Sequence, residues 1–279
     1  LESPLLMPDV QDRPGSTVPH AIFPGGAFVD HHAWVVSFGY YDKWSEVAHF
    51  GINEIEACLE AIPGSPRGHV AARQGTNDLS FWKEVHDWNE YGLPERFEPD
   101  DLIVDIGAHI GSFTRACLDR GAGYVIAVEP FPASYELLRK NCDYYVHRAD
   151  LIQAAVGERP GNVVLRNRDT SGTSYVAVSG HFAGGQELGE APVLTLADIL
   201  PVGAKVRLLK IDCEGAEYAA LAGADLSTVQ EILGEAHTVL WNGREATIVD
   251  LEHILKGSGF EVESTSQGNG TWIFRAVRS

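Results

Sequence analysis

The stretch Asp101–Pro130, DLIVDIGAHIGSFTRACLDRGAGYVIAVEP, decides the fold, because an apolar run passes into glycines and a second apolar run then ends on an acid. The pattern predicts a strand over 102–104, a tight turn over 105–111, a helix over 112–120 and a second strand over 124–128. Together these elements make one strand–helix–strand unit, which is typical of an α/β protein.

The same stretch indicates the kind of ligand that such a turn would hold. Glycines at 107 and 111 allow a ligand to approach the backbone closely, and the first turn of the helix offers N–H groups to a polar or anionic group. Glu129 follows the second strand, where a carboxylate accepts hydrogen bonds from ribose hydroxyls. The sequence therefore predicts an adenosine derivative as the ligand.

Two cofactors fit that description, a nicotinamide dinucleotide and S-adenosylmethionine. The dinucleotide fingerprint is G-x-G-x-x-G, whereas this turn reads G-A-H-I-G and has an acid, Asp105, two residues before Gly107. That carboxylate would repel a pyrophosphate, but it complements the positive charge of a methyl donor that carries an ammonium group. We favour the methyl donor. The alternatives are a nicotinamide-dependent oxidoreductase and a turn that merely joins a strand to a helix.

Several segments of the chain, taken in order, resemble one known family. They are DIGAHIGSFT, VEPFPASYELLRKN, VLTLADIL, LLKIDCEGAEYAALAGA and EILGEAH. In this order they resemble the FkbM family of S-adenosylmethionine-dependent methyltransferases, over about residues 75–279. Two positions depart from the family pattern: His109 stands where asparagine is frequent, and Ala197 interrupts a leucine–aspartate pair before Asp198.

The resemblance implies a Rossmann-like class I methyltransferase fold of the α/β class, which has a doubly wound sheet with an antiparallel last strand. It also implies methyl transfer, usually to a hydroxyl oxygen. The sequence independently predicts the terminal hairpin, since FEVEST and TWIFRAV flank the turn SQGNG. We assign residues 71–279 to this domain and residues 1–70 to an extension with an irregular arm, short strands and a helix. Residues 23–50 resemble the closing part of β-propeller glycoside phosphorylase-like proteins. The extension is then either the remnant of an upstream module or a private segment that packs on a sheet edge or dimer interface.

Composition narrows the partners. The 279-residue chain carries 21 Lys and Arg against 39 Asp and Glu, for a net charge of −18. An acidic surface argues against nucleic-acid or anionic-membrane partners, because neutralising phosphates requires a basic face. The four cysteines form no CxxC pair, and no segment reads as an export signal or a membrane-spanning run, so a cytoplasmic location with reduced thiols is expected. The expected partner is a small-molecule or carbohydrate hydroxyl acceptor, with a homodimer as an open alternative.

Methyl transfer to an alcohol requires the reacting atoms to be held in line and a base near the hydroxyl. Candidates follow two predicted strands: Asp212 and Glu214 after one, and Glu235 with His237 after the next. The carboxyl ends of such strands meet at the switch-point crevice. His237 is the first choice as general base, because its ordinary pKa is near neutrality, and Glu214 is its rival. Asp212 would position the acceptor or the amino-acid end of the cofactor, and a buried structural histidine is the alternative for His237.

The same four residues could also bind a divalent cation, but they lack the spacing of a zinc site, so no metal is predicted. Another alternative for the function of the chain is a non-catalytic binding module fused to a carbohydrate enzyme.

The adenine pocket is expected after the third strand, at residues 153–155. The segment 166–190 is expected to be a lid or a hairpin. The predicted cofactor-binding residues are Asp105, Gly107, Ala108, His109, Gly111, Glu129, Pro130, Gln153, Ala154, Ala155 and Asp212.

Overall fold

The computed structural model describes residues 22–30, 33–40, 44–51, 70–167, 174–177, 186–268 and 270–279. The chain divides into two compact units, Leu1–His69 and Val70–Ser279. In the first unit, strands β1 (Ile22–Asp30), β2 (Ala33–Tyr40) and β3 (Trp44–Gly51) form an antiparallel sheet. The arm and the helix predicted for this unit lie outside the described residues. The resemblance of residues 23–50 to the closing part of β-propeller proteins stays a prediction.

The second unit is built on a seven-stranded sheet. Its strands are β4 (Leu102–Ile106), β5 (Tyr124–Val128), β6 (Ala149–Ile152), β11 (Leu208–Ile211), β12 (Glu231–His237), β15 (Phe260–Gly268) and β16 (Thr271–Arg278). The spatial order is β15–β16–β12–β11–β4–β5–β6, and β16 runs antiparallel to both of its neighbours while the other pairs are parallel. The expected doubly wound sheet with an antiparallel last strand is confirmed.

Six helices belong to the described part of this unit, and the predicted helix after the glycine turn is one of them. It spans Ser112–Asp119, one residue shorter than expected, and Gly121 follows it with a φ of +92°. The helices are α1 (Asp78–His86), α2 (Ser112–Asp119), α3 (Pro132–Cys142), α4 (Leu196–Ile199), α5 (Glu217–Leu221) and α6 (Ile248–Gly257).

A smaller sheet takes up much of the segment that was expected to be a lid or a hairpin. Its strands are β7 (Ala155–Val156), β8 (Gly161–Asn167), β9 (Ser174–Ala177) and β10 (Gln186–Leu194). Their order is β7–β10–β8–β9, with β8 and β10 antiparallel and β7 parallel to the end of β10. The segment 166–190 therefore contributes partly to strands, and its residues 168–173 and 178–185 lie outside the described part. A separate antiparallel pair is formed by β13 (Val239–Trp241) and β14 (Arg244–Ala246).

Both faces of the central parallel strands β4, β5 and β11 are buried, as expected for parallel strands covered by helices. Along β4, Ile103 belongs to the same buried cluster as Phe113 of α2, whereas Val104 belongs to a second cluster with Leu251 of α6. Each face therefore needs its own helices, and the strand ends are left as the place where polar side chains can gather. None of the helices in the described part of the chain has the length and apolar character needed to cross a membrane.

Candidate active site

The glycine turn between β4 and α2 is pressed against the ends of two other strands. Gly107 has a φ of +77°, and a Cβ placed on it would lie 1.8 Å from the carbonyl oxygen of Asp212. The N–H groups of Gly107 and Ala108 donate to the carbonyl of Val128, at 2.9 and 3.0 Å. Only glycine fits at this position, because the backbone after β11 occupies the space of a side chain.

Gly111 serves packing. Its φ is +88°, and an added Cβ would lie 2.8 Å from Cδ1 of Leu138 on α3. Gly111 is not among the residues that line the cavity described below. Gly111 thus allows a close approach of α3 to the start of α2, and its contact with a cofactor stays a prediction.

A buried ion pair lies beneath the turn. The Asp105 carboxylate is fully buried, and its Oδ2 accepts a hydrogen bond of 2.6 Å from Thr114 Oγ1. Nζ of Lys210 lies 3.3 Å from Asp105 Oδ1 and 3.8 Å from Asp212 Oδ2, and it donates to the carbonyl of Gly107 at 2.7 Å. Burial alone lowers the pKa of Lys210, but these two carboxylates outweigh it, so its pKa is raised and the ammonium stays charged.

Lys210 is the site residue that the sequence analysis missed. It lies inside an apolar strand, where its neighbours give no sign that its side chain reaches toward the glycine turn. It lines the cavity, whereas Asp105 lies below the cavity wall. The ammonium thus connects three chain segments: the end of β4, the glycine turn and the end of β11.

One cavity gathers most of the predicted site residues, among the residues the structure describes. It lies at the carboxyl ends of β4, β5, β11 and β12 and extends to α1. Of the predicted residues, Asp105, Gly111, Gln153 and His237 do not line it, and Gln153 is exposed. The predicted residues that do line it are Gly107, Ala108, His109, Glu129, Pro130, Ala154, Ala155, Asp212, Glu214 and Glu235.

Glu129 is held at the end of β5 by backbone donors. Its Oε2 accepts from the N–H of His109 at 2.8 Å, and its Oε1 accepts from the N–H of Phe131 at 2.9 Å. Burial raises the pKa of Glu129 to about 7, although the two N–H groups favour the charged form. Each oxygen keeps a further lone pair, so a fixed carboxylate at this point can accept hydrogen bonds from a ligand's hydroxyls.

His109 is held from the outside by Arg73, a contact that the sequence analysis did not foresee. Nη2 of Arg73 lies 2.7 Å from Nε2 of His109, and Arg73 pairs with the buried Asp78. Since a guanidinium can only donate, Nε2 accepts and the imidazole proton is on Nδ1. Burial lowers the pKa of His109 to about 4 in spite of the nearby Asp78 carboxylate. His109 is therefore a neutral wall of the cavity.

His237 lies among carboxylates. Its Nδ1 lies 3.1 Å from Oε1 of Glu217, and its Nε2 lies 3.7 Å from the carboxylates of Glu214 and Glu235. Burial alone would lower the pKa of His237, but the hydrogen bond and charge of Glu217, with the Glu214 carboxylate, raise it to about 9. This raised pKa favours the imidazolium form at neutral pH and disfavours proton uptake by His237, and its role as general base stays a prediction.

At the ends of β11 and β12, Glu235 faces the cavity and has a pKa raised to about 7, as Glu129 has at the end of β5. Burial and the Asp212 carboxylate raise its pKa to about 7, while His237 and Lys210 act in the opposite direction. Tyr91 approaches the same place, with its hydroxyl 3.4 Å from Oδ2 of Asp212. A carboxylate with this pKa is half ionised at neutral pH and can take up a proton there.

Three of the four residues considered as cation ligands come together. Asp212, Glu235 and His237 each offer an atom, and these atoms lie within 4.8 Å of one another. A cation bound by all three would have to displace the proton on His237, because a metal takes the neutral imidazole. Lys210 already places a positive charge 3.8 Å from Asp212. Whether these residues bind a cation is not tested by this arrangement, and the expectation of no metal stays a prediction.

The protein family and the known proteins that this chain resembles are methyltransferases. The Methyltransferase FkbM domain matches residues 105–262. The 31-O-demethyl-FK506 methyltransferase FkbM of Streptomyces tacrolimicus is 27% identical over 236 residues, covering 71% of this chain and 87% of that protein. The hexuronic acid methyltransferase AglP of Haloferax volcanii is 28% identical over 156 residues, covering 52% of this chain and 59% of that protein.

Among solved structures, the precorrin-6y C5,15-methyltransferase of Geobacter metallireducens superimposes with a TM-score of 0.42 at 16% identity, over 77% of this chain and 96% of that one. The fold of the present chain follows from its own strand order, with the antiparallel β16 inserted between β12 and β15. The FkbM domain spans more than half of the 279 residues and contains the glycine turn, Glu129, Lys210 and the acidic strand ends. The chain therefore belongs to the FkbM methyltransferase family.

Proposed function

We propose that the protein is an S-adenosylmethionine-dependent O-methyltransferase that methylates a hydroxyl of a sugar or secondary metabolite. The observation that carries the proposal is a single cavity, which joins Glu129 at the end of β5 to Asp212 and Glu235 at the ends of β11 and β12. The first end suits a ribose, and the second end suits a hydroxyl that must lose a proton. The names of the two relatives, a 31-O-demethyl-FK506 methyltransferase and a hexuronic acid methyltransferase, support this class of acceptor.

The residues present fit the methyl donor. Glu129 would accept hydrogen bonds from its ribose, Ala154 and Ala155 would lie beside the adenine, and Asp212 would face its amino-acid end. When bound, S-adenosylmethionine supplies a methyl group on a positively charged sulfur. The carboxylates at the ends of β11 and β12 complement that charge, and the fixed walls hold the reacting atoms in line.

Calorimetric titration tests the donor. S-adenosylmethionine and S-adenosylhomocysteine should bind the purified chain, while NAD should not, because the turn lacks the dinucleotide fingerprint. Glu129→Gln should weaken both adenosyl ligands by about 10- to 100-fold, since hydrogen bonds to a charged group contribute roughly 1.5–3 kcal/mol. The control is Glu136→Ala, an exposed glutamate on α3, which should bind as the parent does. Binding of NAD in place of the adenosyl ligands would contradict the proposal and favour an oxidoreductase.

Glu235 is the proposed proton acceptor. It lines the cavity, whereas His237 lies behind it and carries a proton at neutral pH. General-base catalysis by such a group contributes roughly 10²- to 10⁴-fold to a rate. The alcohol proton would pass to the Glu235 carboxylate as the oxygen attacks the methyl group and the sulfur leaves with its bonding electron pair. Glu214, the rival candidate, lies 3.7 Å from Nε2 of His237, the same ring nitrogen that faces Glu235, and its carboxylate stabilises the charge of the imidazolium.

The pH dependence of the rate follows from this assignment. Glu235 must be ionised to act, and its pKa is raised to about 7, so kcat should rise as the pH passes through 7 and then level off. The rate should be measured with the donor saturating, because Glu129 also has a pKa raised to about 7 and influences donor affinity. Glu235→Gln should remove this rise and lower kcat by about 10²-fold or more. A rise centred near 9 instead would assign the base to His237.

The acceptor end of the cavity is rich in negative charge. Glu84 and Glu90 line it together with Asp212 and Glu235, and among the residues described neither Glu84 nor Glu90 forms an ion pair. Partial burial and the carboxylates of Glu84 and Asp212 raise the pKa of Glu90, which reflects their mutual repulsion. An acceptor that carried its own carboxylate would be disfavoured beside these groups, because bringing like charges together costs free energy. We therefore infer an acceptor that is neutral or positively charged.

A panel of matched acceptors tests this inference. With labelled S-adenosylmethionine, methyl transfer should be faster to a methyl glucoside or a methyl glucosaminide than to the methyl glucuronide, by about tenfold in kcat/KM, which corresponds to about 1.4 kcal/mol. Cyclohexane-1,2-diol, 2-aminocyclohexanol and 2-hydroxycyclohexanecarboxylate make a second set with the same three charges. Glu90→Gln should reduce the discrimination. Equal or faster methylation of the carboxylate-bearing members would contradict the inference that the acceptor is neutral or positively charged.

The expected homodimer, the cytoplasmic location and the exclusion of nucleic-acid and membrane partners stay predictions.

A further inference from the structure

Glu217 is a buried carboxylate that the proposed reaction does not use directly. It is the first residue of α5, its side chain is fully buried, and it is not among the residues that line the cavity. Burying a carboxylate is costly unless hydrogen bonds and charge compensate for the lost water. Its surroundings therefore indicate what it stabilises.

One oxygen of Glu217 collects three donors from two parts of the site. Oε1 accepts from the N–H of Cys213 and from the N–H of Gly215, each at 3.1 Å, and it lies 3.1 Å from Nδ1 of His237. The first two donors belong to the turn after β11, and the third belongs to the end of β12. Glu217 thus ties together the two strand ends that carry the acceptor side of the cavity.

The turn that Glu217 holds is strained. Glu214 has a φ of +55°, which is uncommon for a residue other than glycine, and Gly215 has a φ of +105°. A Cβ on Gly215 would lie 2.6 Å from Cγ1 of Val239. Such a backbone persists only where its surroundings fix it. The hydrogen bonds to Glu217 are contacts of this kind, and they place the Glu214 side chain 3.7 Å from His237.

From Glu217 a line of alternating charges leads outward to the cavity. The buried carboxylate faces Nδ1 of His237, and Nε2 of the same ring lies 3.7 Å from Oε2 of Glu235, which lines the cavity. A carboxylate that accepts from one ring nitrogen stabilises the protonated ring. A protonated ring in turn favours the ionised form of the next carboxylate.

We propose that Glu217 is a positioning residue for methyl transfer: it keeps His237 protonated behind Glu235 and fixes the turn that carries Glu214. The charged ring thereby favours the ionised form of Glu235, at a fixed position, for the acceptor's proton. This inference rests on the proposed function of the site and deepens it. A purely structural role would be limited to the start of α5 and the turn, with no effect on the charge of His237.

The test uses Glu217→Gln, which keeps the size of the side chain and an acceptor oxygen for the turn. Histidine-selective NMR titration should place His237 near pH 9 in the parent. In the variant its titration should fall by at least about one pH unit, a tenfold change in its proton affinity. Glu252→Gln, on the exposed side of α6 and paired with Lys256, is the matched control and should leave His237 unchanged. S-adenosylhomocysteine should bind all three proteins within about twofold, because Glu129 is untouched.

The kinetic readout is the rise of kcat with pH, which should move to higher pH in Glu217→Gln because Glu235 loses its charged neighbour. Should that variant fail to fold, His237→Gln removes the other end of the contact and must displace the rise in the same direction. An unchanged His237 titration in a folded Glu217→Gln protein overturns the proposal, and so does an unmoved rise in both variants. The NMR result can be read without turnover, so failure of this inference is distinct from failure of the parent to bind the adenosyl ligands, which would overturn the proposed function itself.

Discussion

The site depends on the ion pairs and the hydrogen bond that the buried ammonium of Lys210 makes. The ammonium lies between the carboxylates of Asp105 and Asp212 and donates to the carbonyl of Gly107. Without it, two acids would face each other near a glycine turn that has no side chain to fill the space. An ion pair so deeply buried is maintained only when its remaining hydrogen bonds are made, and here Thr114 and the turn make them. The turn is thus fixed before any ligand arrives.

The site separates two chemical tasks along one cavity. At one end Glu129 is held by backbone N–H groups, so it is a rigid acceptor for hydroxyls. At the other end Glu235 has its pKa set by burial, by Asp212 and by the charged His237, so it suits proton transfer. Both tasks are performed by carboxylates, and their different surroundings distinguish them. The buried Glu217 extends this arrangement into the interior, away from any ligand.

Local pattern predicted the parts of the site that lie along one segment. The turn at Gly107 and the acid Glu129 follow from a single strand–helix–strand unit, whose glycines and apolar runs are adjacent in sequence. Lys210 and the proton on His237 could not be predicted in this way, because their states depend on partners far along the chain. Gln153 follows a strand as expected, but its side chain turns to solvent, and a strand pattern fixes the position of a residue without fixing which way its side chain points.

The dependence of the site on the Lys210 ion pair is tested most directly by a double-mutant cycle on Lys210 and Asp105, in which the free energy of unfolding is measured. Lys210→Met alone leaves a buried carboxylate unpaired and should cost about 3–5 kcal/mol. Asp105→Asn keeps the hydrogen bond from Thr114 and removes the charge, so the double variant should be clearly more stable than the sum of the two single losses predicts. Losses that add within about 0.5 kcal/mol would show that the two side chains do not stabilise each other. That result would contradict the role of the Lys210 ion pair in fixing the glycine turn.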